Sequence, residues 1–228
     1  MSIYKYLNTL VSKYYINRDW SHGQNHVNSV KKLCTIISKN MHITDKHSLL
    51  IINSAALFHD VWDNKYIKNS NDIYTLKNKL RNDLKLLNLN NSDIDDIYTI
   101  IDNISFTKEL NNRLNGKLIH LGKLSLYRNI VSDADKIESL GKKGIERIFI
   151  YEYNLDKTKT IPEYINITKN IYNNRFKILI NYDYIKTSIG KHLAKPLIQE
   201  MEYIINNQNL LYSIAFKLCK PTKKRKRE

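Results

Sequence analysis

Residues 49–60 read Leu-Leu-Ile-Ile-Asn-Ser-Ala-Ala-Leu-Phe-His-Asp, an apolar run that ends on a histidine and an aspartate. A helix that is apolar on most of its sides is buried among other elements. The pattern therefore predicts a central helix, capped at its start by Thr44 or Asp45 and ending near His59 and Asp60. Both residues at its end carry side chains that can bind metal ions or protons.

The sequence around this run is also helical in pattern. Apolar residues recur at helical spacing in two earlier stripes, Tyr4, Leu7, Val11, Tyr15 and Val27, Val30, Leu33, Cys34, Ile37. Similar patterns predict helices over about 72–87, 93–105, 163–182 and 188–216, and a further one from Ile130 to Phe149 that Gly141 and Gly144 interrupt. Residues 106–128 are predicted as a loop or as partly ordered, and a short hairpin within 111–125 stays open. Gly and Pro number only 6 and 3 in 228 residues, too few for the tight turns of a sandwich or barrel. We predict an all-α protein with a single helical bundle over residues 1–216.

Composition narrows the class of protein further. Hydrophobic residues at 42% and charged residues at 26% are typical of a globular domain and exclude a mainly disordered chain. No apolar run reaches the roughly 18 residues of a transmembrane helix, and the N-terminus lacks the pattern of a signal peptide. Two distant cysteines, Cys34 and Cys219, offer neither a disulfide framework nor a cysteine-based zinc site. We therefore expect a cytoplasmic protein that does not bind membranes.

The chain is strongly basic, with a formal net charge of +15. Such a charge favours anionic partners, namely phosphates, nucleotides or nucleic acid. Heavy use of Asn, Ile, Lys and Tyr is typical of a viral or other AT-rich genome, and this bias explains part of the lysine excess. Residues 217–228 form a basic tail without periodicity, which we predict to be disordered. The tail is either a solvated end or a nuclear localisation signal, and it would add weak nonspecific affinity for nucleic acid.

Histidines and aspartates collect on faces that are predicted to be buried. His26 shares a helix face with the apolar residues of the second stripe, so its imidazole points into the core. Asp133 and Asp135 lie on a helix that is otherwise apolar, and a buried carboxylate is costly unless it is paired or binds a cation. With His59 and Asp60 they would supply the nitrogen and oxygen donors of an octahedral site for a divalent metal ion. Helical periodicity does not choose between Asp133 and Asp135.

The order of these motifs resembles the HD-domain superfamily of metal-dependent phosphohydrolases over roughly residues 15–205. Its core motifs are matched by His26, by Ala-Ala-Leu-Phe-His-Asp at 55–60, and by Asp135 before a basic residue. Ile-Ser-Phe at 104–106 and the block at 131–149 are similar to the small stand-alone HD hydrolases of bacteria, fungi and large DNA viruses. The resemblance implies a metal core at about 20–150 with one divalent ion, held by four ligands: His26, His59, Asp60 and Asp135. Mn²⁺ is expected first, with Mg²⁺, Fe²⁺, Co²⁺, Ni²⁺ and Zn²⁺ as alternatives.

The resemblance also implies a reaction and roles for other residues. It implies hydrolysis of a phosphoester or phosphoanhydride bond in a small phosphorylated substrate, with a nucleotide expected first, cleaved as by a nucleoside triphosphate pyrophosphohydrolase. The metal ion would polarise a phosphoryl oxygen and acidify a water molecule. Either His22 or Asp63 would position or deprotonate that water. Lys65 and Arg147 would bind phosphate oxygens, and Asp133 would hold the ligands or their neighbours in place.

Two positions depart from the pattern of these small hydrolases. Glu138 stands where an aspartate is usual, and Asn103 stands where a histidine is frequent. Neither position is one of the four implied ligands. Two other classes of protein stay open: a module that binds nucleic acid or nucleotides without catalysis, and an HD fold that has lost its activity. We expect a monomer or a homodimer.

Overall fold

The computed structural model describes residues 3–16, 18, 23–63, 66–67 and 69–219. Every element of secondary structure in these ranges is helical, which confirms the predicted all-α class. The chain divides into two compact units, the first comprising Met1–Lys136 with Lys186–Gly190 and the second Ile137–Ile185 with Lys191–Glu228. Along the described ranges, no helix combines the length and the apolar character needed to cross a membrane.

The first unit is built around one buried helix. Its helices are α1 (Ile3–Tyr14), α2 (Gln24–Asn40), α3 (Lys46–Phe58), α4 (Ser70–Lys85), α5 (Asn91–Asp102), α6 (Phe106–Leu114) and all but the last two residues of α7 (Ser125–Glu138). Helix α3 packs against α1, α2 and α5, and every residue from Ile51 to Phe58 is buried. Its cap is Asp45, whose carboxylate accepts a hydrogen bond from the N–H of Ser48 at 2.7 Å. The predicted central helix is therefore present, and its end delivers His59 and Asp60.

Helix α6 corrects the sequence analysis, because only residues 115–121 of the segment 106–128 are non-helical. Ser105 caps α6 by accepting a hydrogen bond from the N–H of Lys108, and α7 already begins at Ser125. The two residues that α6 buries are Phe106 and Glu109. Since one of them is charged, the periodicity of apolar residues cannot detect this helix.

The second unit contains the remaining helices. They are α8 (Gly141–Leu155), α9 (Ile161–Ile171), α10 (Lys177–Asn181), α11 (Ser188–Asn206, from Lys191 onward) and α12 (Gln208–Leu218). A π-helical turn, Tyr172–Phe176, joins α9 to α10, and α8, α9 and α12 pack against one another. The helix predicted over 188–216 is divided at Asn207, whose side chain caps α12 by accepting from the N–H of Leu210 at 3.0 Å. Residues 220–228 of the predicted disordered tail lie outside the described residues.

Candidate metal centre

Four side chains of the first unit converge on one point. His26 comes from α2, His59 and Asp60 from the end of α3, and Asp135 from α7. The Nε2 atoms of the two histidines lie 3.1 Å apart. Oxygens of Asp60 lie 3.5 Å from the Nε2 of His26 and 3.4 Å from that of His59. Asp135 Oδ1 lies 3.4 and 3.6 Å from the same two nitrogens. The structure thus brings together all four residues that were predicted as ligands.

These spacings suit a single divalent metal ion. Ligand atoms bound at about 2.1 Å lie roughly 3.0 Å apart at octahedral angles and roughly 3.4 Å apart at tetrahedral angles. The separations found here run from 3.1 to 3.6 Å. His26, His59 and Asp60 alone already form a group whose ligand atoms all lie within 4.8 Å of one another. A set of two imidazole nitrogens and carboxylate oxygens fits the divalent first-row metals.

The tautomer of neutral His59 is fixed by the contact of its Nδ1 atom with the backbone. The Nδ1 atom lies 2.8 Å from the carbonyl oxygen of Ala56. Because a carbonyl oxygen can only accept a hydrogen bond, Nδ1 carries a hydrogen and donates it. The lone pair of the neutral ring is then on Nε2, which faces His26. Metal-binding histidines are held in this way, by a bond from the nitrogen that does not bind the metal.

The electrostatics of the group favour a cation at its centre. Burial lowers the pKa of His59, but the carboxylates of Asp60 and Asp135 outweigh burial and raise the pKa to about 10. Burial also raises the pKa of Asp135, yet hydrogen bonds and charge from His26 and His59 hold it well below its usual range. A proton between the imidazoles satisfies this arrangement, and a divalent cation would replace that proton. The Asp135 side chain is 32% exposed, so the group opens to solvent at this ligand.

Asp133 lies on the same helix as Asp135 but contacts a different part of the chain. It is fully buried. Its Oδ1 accepts from the N–H of Lys186 at 2.8 Å, and its Oδ2 accepts from the N–H and the hydroxyl of Thr187 at 2.7 and 2.8 Å. The Thr187 hydroxyl in turn accepts from the N–H of Gly190 at 2.9 Å. Asp133 therefore ties residues 186–190 to the helix that carries Asp135, and its role in holding the ligands stays a prediction.

A second buried carboxylate, Glu109, anchors α6 to α7 next to the candidate centre. Glu109 Oε2 accepts from Arg128 at 2.9 Å and from Lys136 at 3.0 Å. Lys136 directly follows Asp135, and its ammonium group also donates to Ser132 at 2.8 Å. Burial raises the pKa of Glu109, but Lys136 and Arg128 outweigh it and lower the pKa to about 2. Glu109 is thus ionised at neutral pH and compensates two buried cations.

The other predicted site residues are placed as follows. Asp63 follows Asp60 in a turn, where its N–H donates to the Asp60 carbonyl at 3.1 Å. Arg147, on α8 in the second unit, pairs with Glu138, which also accepts from Lys143 at 2.6 Å. His22 and Lys65 lie outside the described residues. The proposed roles of these four residues stay predictions.

Sequence analysis missed two residues near Asp60. Tyr15 was interpreted in the sequence analysis as the last member of an apolar stripe, and no role was assigned to Arg18. Tyr15 is buried, and Arg18 donates from Nη2 to the carbonyl of Val61 at 2.8 Å. The spacing of apolar residues does not predict where the polar group at the tip of a tyrosine or arginine side chain lies. The one available signal was the arginine itself, in a short segment directly between two helices.

Comparison with known proteins shows a distant relative. No protein-family model matches the chain. The chain is 27% identical over 145 residues to the uncharacterized protein YpgQ of Bacillus subtilis (strain 168). This match covers 64% of each protein, so it spans less than two thirds of the relative's length.

Solved structures are similar in fold over a longer range. A crystal structure from Lactobacillus plantarum matches with a TM-score of 0.66 at 21% identity, covering 90% of this chain and 95% of the other. Crystalline YpgQ matches with a TM-score of 0.61 at 22% identity, covering 88% and 90%. A further structure is of YpgQ in complex with ADP, with a TM-score of 0.60 at 21% identity and coverage of 88% and 93%. At these identities the similarity shows a shared fold.

Proposed function

We propose that this protein is a metal-dependent phosphohydrolase of the HD type that acts on a small phosphorylated molecule. The observation that supports the proposal is the convergence of two buried imidazole nitrogens with the carboxylates of Asp60 and Asp135. A divalent cation among these groups would compensate the charges of the two carboxylates, as the shared proton does in its absence. The order of its residues along the chain is that of the HD superfamily.

The chemistry divides between the metal and the protein side chains. A divalent ion bound here supplies Lewis acidity toward a phosphoryl oxygen and lowers the pKa of a water molecule. Because Nδ1 of His59 donates to Ala56, Nε2 would bind the ion once the proton that it carries at neutral pH is displaced. Asp63 follows Asp60 by three residues and would accept a proton from the attacking water, or His22 would do so. The net charge of +15 steers an anionic substrate toward the protein.

A nucleotide is the proposed substrate class, and a nucleoside triphosphate is the first candidate. YpgQ, which shares the fold, has been crystallised in complex with ADP. The basic character of the chain agrees with a substrate that carries several phosphate groups. Arg147 and Lys65 are proposed to bind phosphate oxygens, with Mn²⁺ as the first choice of metal ion. A nucleoside monophosphate is the next candidate.

The test is a hydrolysis screen with added metal. Purified protein is incubated with Mn²⁺, Mg²⁺, Co²⁺ or Ni²⁺ and nucleoside tri-, di- and monophosphates, and both phosphate and pyrophosphate are measured. Asp60→Asn is expected to lose at least about 100-fold in rate, since one ligand of the metal is gone. The matched control is Asp95→Asn, because Asp95 is an exposed aspartate that pairs with Arg81. We expect this control to keep wild-type activity.

Two outcomes would contradict the proposal. Equal activity of wild type and Asp60→Asn would place the reaction elsewhere. Nucleotide binding without release of phosphate or pyrophosphate under any metal would favour a binding module without catalysis.

A further inference from the structure

A tyrosine hydroxyl near the candidate metal centre lacks an acceptor for its hydrogen within the described ranges. Tyr15 directly follows α1 and is 6% exposed. Its hydroxyl is buried, and its hydrogen meets no acceptor at hydrogen-bonding geometry in the described ranges, whereas the N–H of Asp60 acts on its oxygen. Buried tyrosine hydroxyls usually find a partner. A buried hydroxyl without an acceptor destabilises the protein, so a ligand that accepts its hydrogen would bind more tightly.

The charges of Asp60 and Asp135 influence the pKa of Tyr15. Burial raises the pKa of Tyr15 well above its ordinary value, and the charges of Asp60 and Asp135 act in the same direction. The N–H of Asp60 and the charge of Arg18 act against that shift. Tyr15 and Arg18 lie in one turn, since the N–H of Arg18 donates to the carbonyl oxygen of Tyr15 at 3.4 Å.

Arg18 is the second donor with an unused hydrogen. Its guanidinium carbon lies 3.8 Å from the centre of the Tyr66 ring, and its Nη2 donates to the carbonyl of Val61 at 2.8 Å. These two contacts fix the plane of the group beside Asp60, which directly precedes Val61. The Nη1 atom is buried and has no hydrogen-bond partner in the part of the chain that the structure describes. A fixed guanidinium with a free N–H is well suited to a phosphate oxygen.

We propose that the Tyr15 hydroxyl and the Nη1 of Arg18 form an anion subsite that binds a phosphoryl group next to the metal ligands. Both groups donate hydrogen bonds, both are held on buried surface, and Arg18 adds the positive charge that a phosphoryl group requires. The subsite deepens the proposed function, on which its biological role rests, by naming residues that would hold the substrate. Binding of a phosphate ion, however, does not require that hydrolysis occur.

The test measures binding of inorganic phosphate to the metal-loaded, full-length protein by isothermal titration calorimetry. Arg18→Gln is expected to weaken binding about 10- to 100-fold, as for the loss of a hydrogen bond between charged groups. Tyr15→Phe is expected to weaken it about 3- to 10-fold, as for a neutral donor. Metal content should be unchanged in both variants.

A matched control separates this subsite from the general charge of the protein. Arg81→Gln removes the same charge from another arginine that lies over a tyrosine ring, at 5.4 Å from the Tyr98 centroid, and pairs with Asp95 at the surface. Phosphate affinity should be unchanged in Arg81→Gln. An equal loss in Arg18→Gln and Arg81→Gln would overturn the subsite, and so would wild-type affinity in both Arg18→Gln and Tyr15→Phe.

Thermal unfolding of the metal-loaded variants gives a second, independent readout. Because the Tyr15 hydroxyl donates no hydrogen bond within the described ranges, Tyr15→Phe should keep the Tm of the phosphate-free protein nearly unchanged while it lowers phosphate affinity. A fall of several degrees would reveal a structural partner and overturn the subsite. If Arg18→Gln loses phosphate binding but the wild type hydrolyses no nucleotide, the subsite stands and the proposed phosphohydrolase function fails.

Discussion

Replacing Glu109 by Gln removes the carboxylate that two almost fully buried cations share. Glu109 is 5% exposed, and its partners Arg128 and Lys136 are each 3% exposed. The variant keeps the shape of the side chain but leaves two buried cations without their carboxylate. Removing one partner of a buried ion pair typically costs about 3–5 kcal/mol. The pKa of Glu109, lowered from 4.5 to about 2, gives a similar figure of about 3 kcal/mol at pH 7.

The pH dependence makes this prediction specific to ionisation. The folded-state pKa is depressed, so the stabilisation is fully present above about pH 4.5 and is lost as the pH falls toward 2. The difference in unfolding free energy between wild type and Glu109→Gln should therefore be about 3 kcal/mol at pH 7 and about 1 kcal/mol at pH 3. The corresponding fall in Tm at pH 7 is about 6–12 °C.

The measurement is urea unfolding followed by circular dichroism at several pH values. Glu146→Gln is the control, because within the described ranges the ion pair of Glu146 is a long i,i+4 contact of 3.9 Å with Lys142, and such pairs contribute little. We expect the control to change stability by less than about 0.5 kcal/mol. A Glu109→Gln protein as stable as the control, or a deficit that is the same at pH 7 and pH 3, would refute the reasoning.

Three further predictions concern other parts of the protein. Gly144→Ala should lower the free energy of unfolding by more than about 2 kcal/mol, since the added carbon would lie 1.9 Å from the carbonyl oxygen of Ser139. The control Gly116→Ala meets no atom within 4 Å and should lose about 1–2 kcal/mol, because alanine is strained at the positive φ of this position. Equal losses of the two variants in urea unfolding would contradict this. Asp133→Asn should cost about 2–4 kcal/mol, because an amide cannot accept all three of the hydrogen bonds found here; an unchanged Tm would rule this out. Metal affinity, measured by chelator competition, should rise about tenfold per pH unit from about pH 6 to 8. The pKa of His59 is about 10, so His59 is protonated over this range and the ion must displace its proton. An affinity that does not change with pH would show that no proton is displaced.

Much of the site could be predicted because its residues stand at the ends or on the faces of strongly apolar helices. The apolar run at 49–60 predicted that α3 is buried, and it predicted that His59 and Asp60 lie at the end of this helix. His26 could be oriented because its helix has a clean apolar stripe. Asp133 and Asp135 were visible as charges in an apolar helix, but spacing alone could not choose between them. Their different partners, found in the structure, separate them.

The rest depended on polar contacts that apolar periodicity does not carry. Helix α6 was interpreted as a loop because it buries Glu109 against two cations instead of a row of apolar side chains. The division of the last long helical pattern at Asn207 depends on a single side-chain cap. Tyr15 and Arg18 could not be assigned because the relevant atoms lie at the far ends of their side chains. Such groups are located only when the helices are packed.

The most direct measurement for the whole account is an anomalous difference map from crystals grown with Mn²⁺ and recorded at the manganese absorption edge. We expect one strong peak in contact with the Nε2 atoms of His26 and His59 and with the carboxylates of Asp60 and Asp135. This result would establish the centre on which the proposed hydrolysis depends. Fully occupied manganese at a different position, with these four side chains still hydrogen-bonded to one another, would contradict the account.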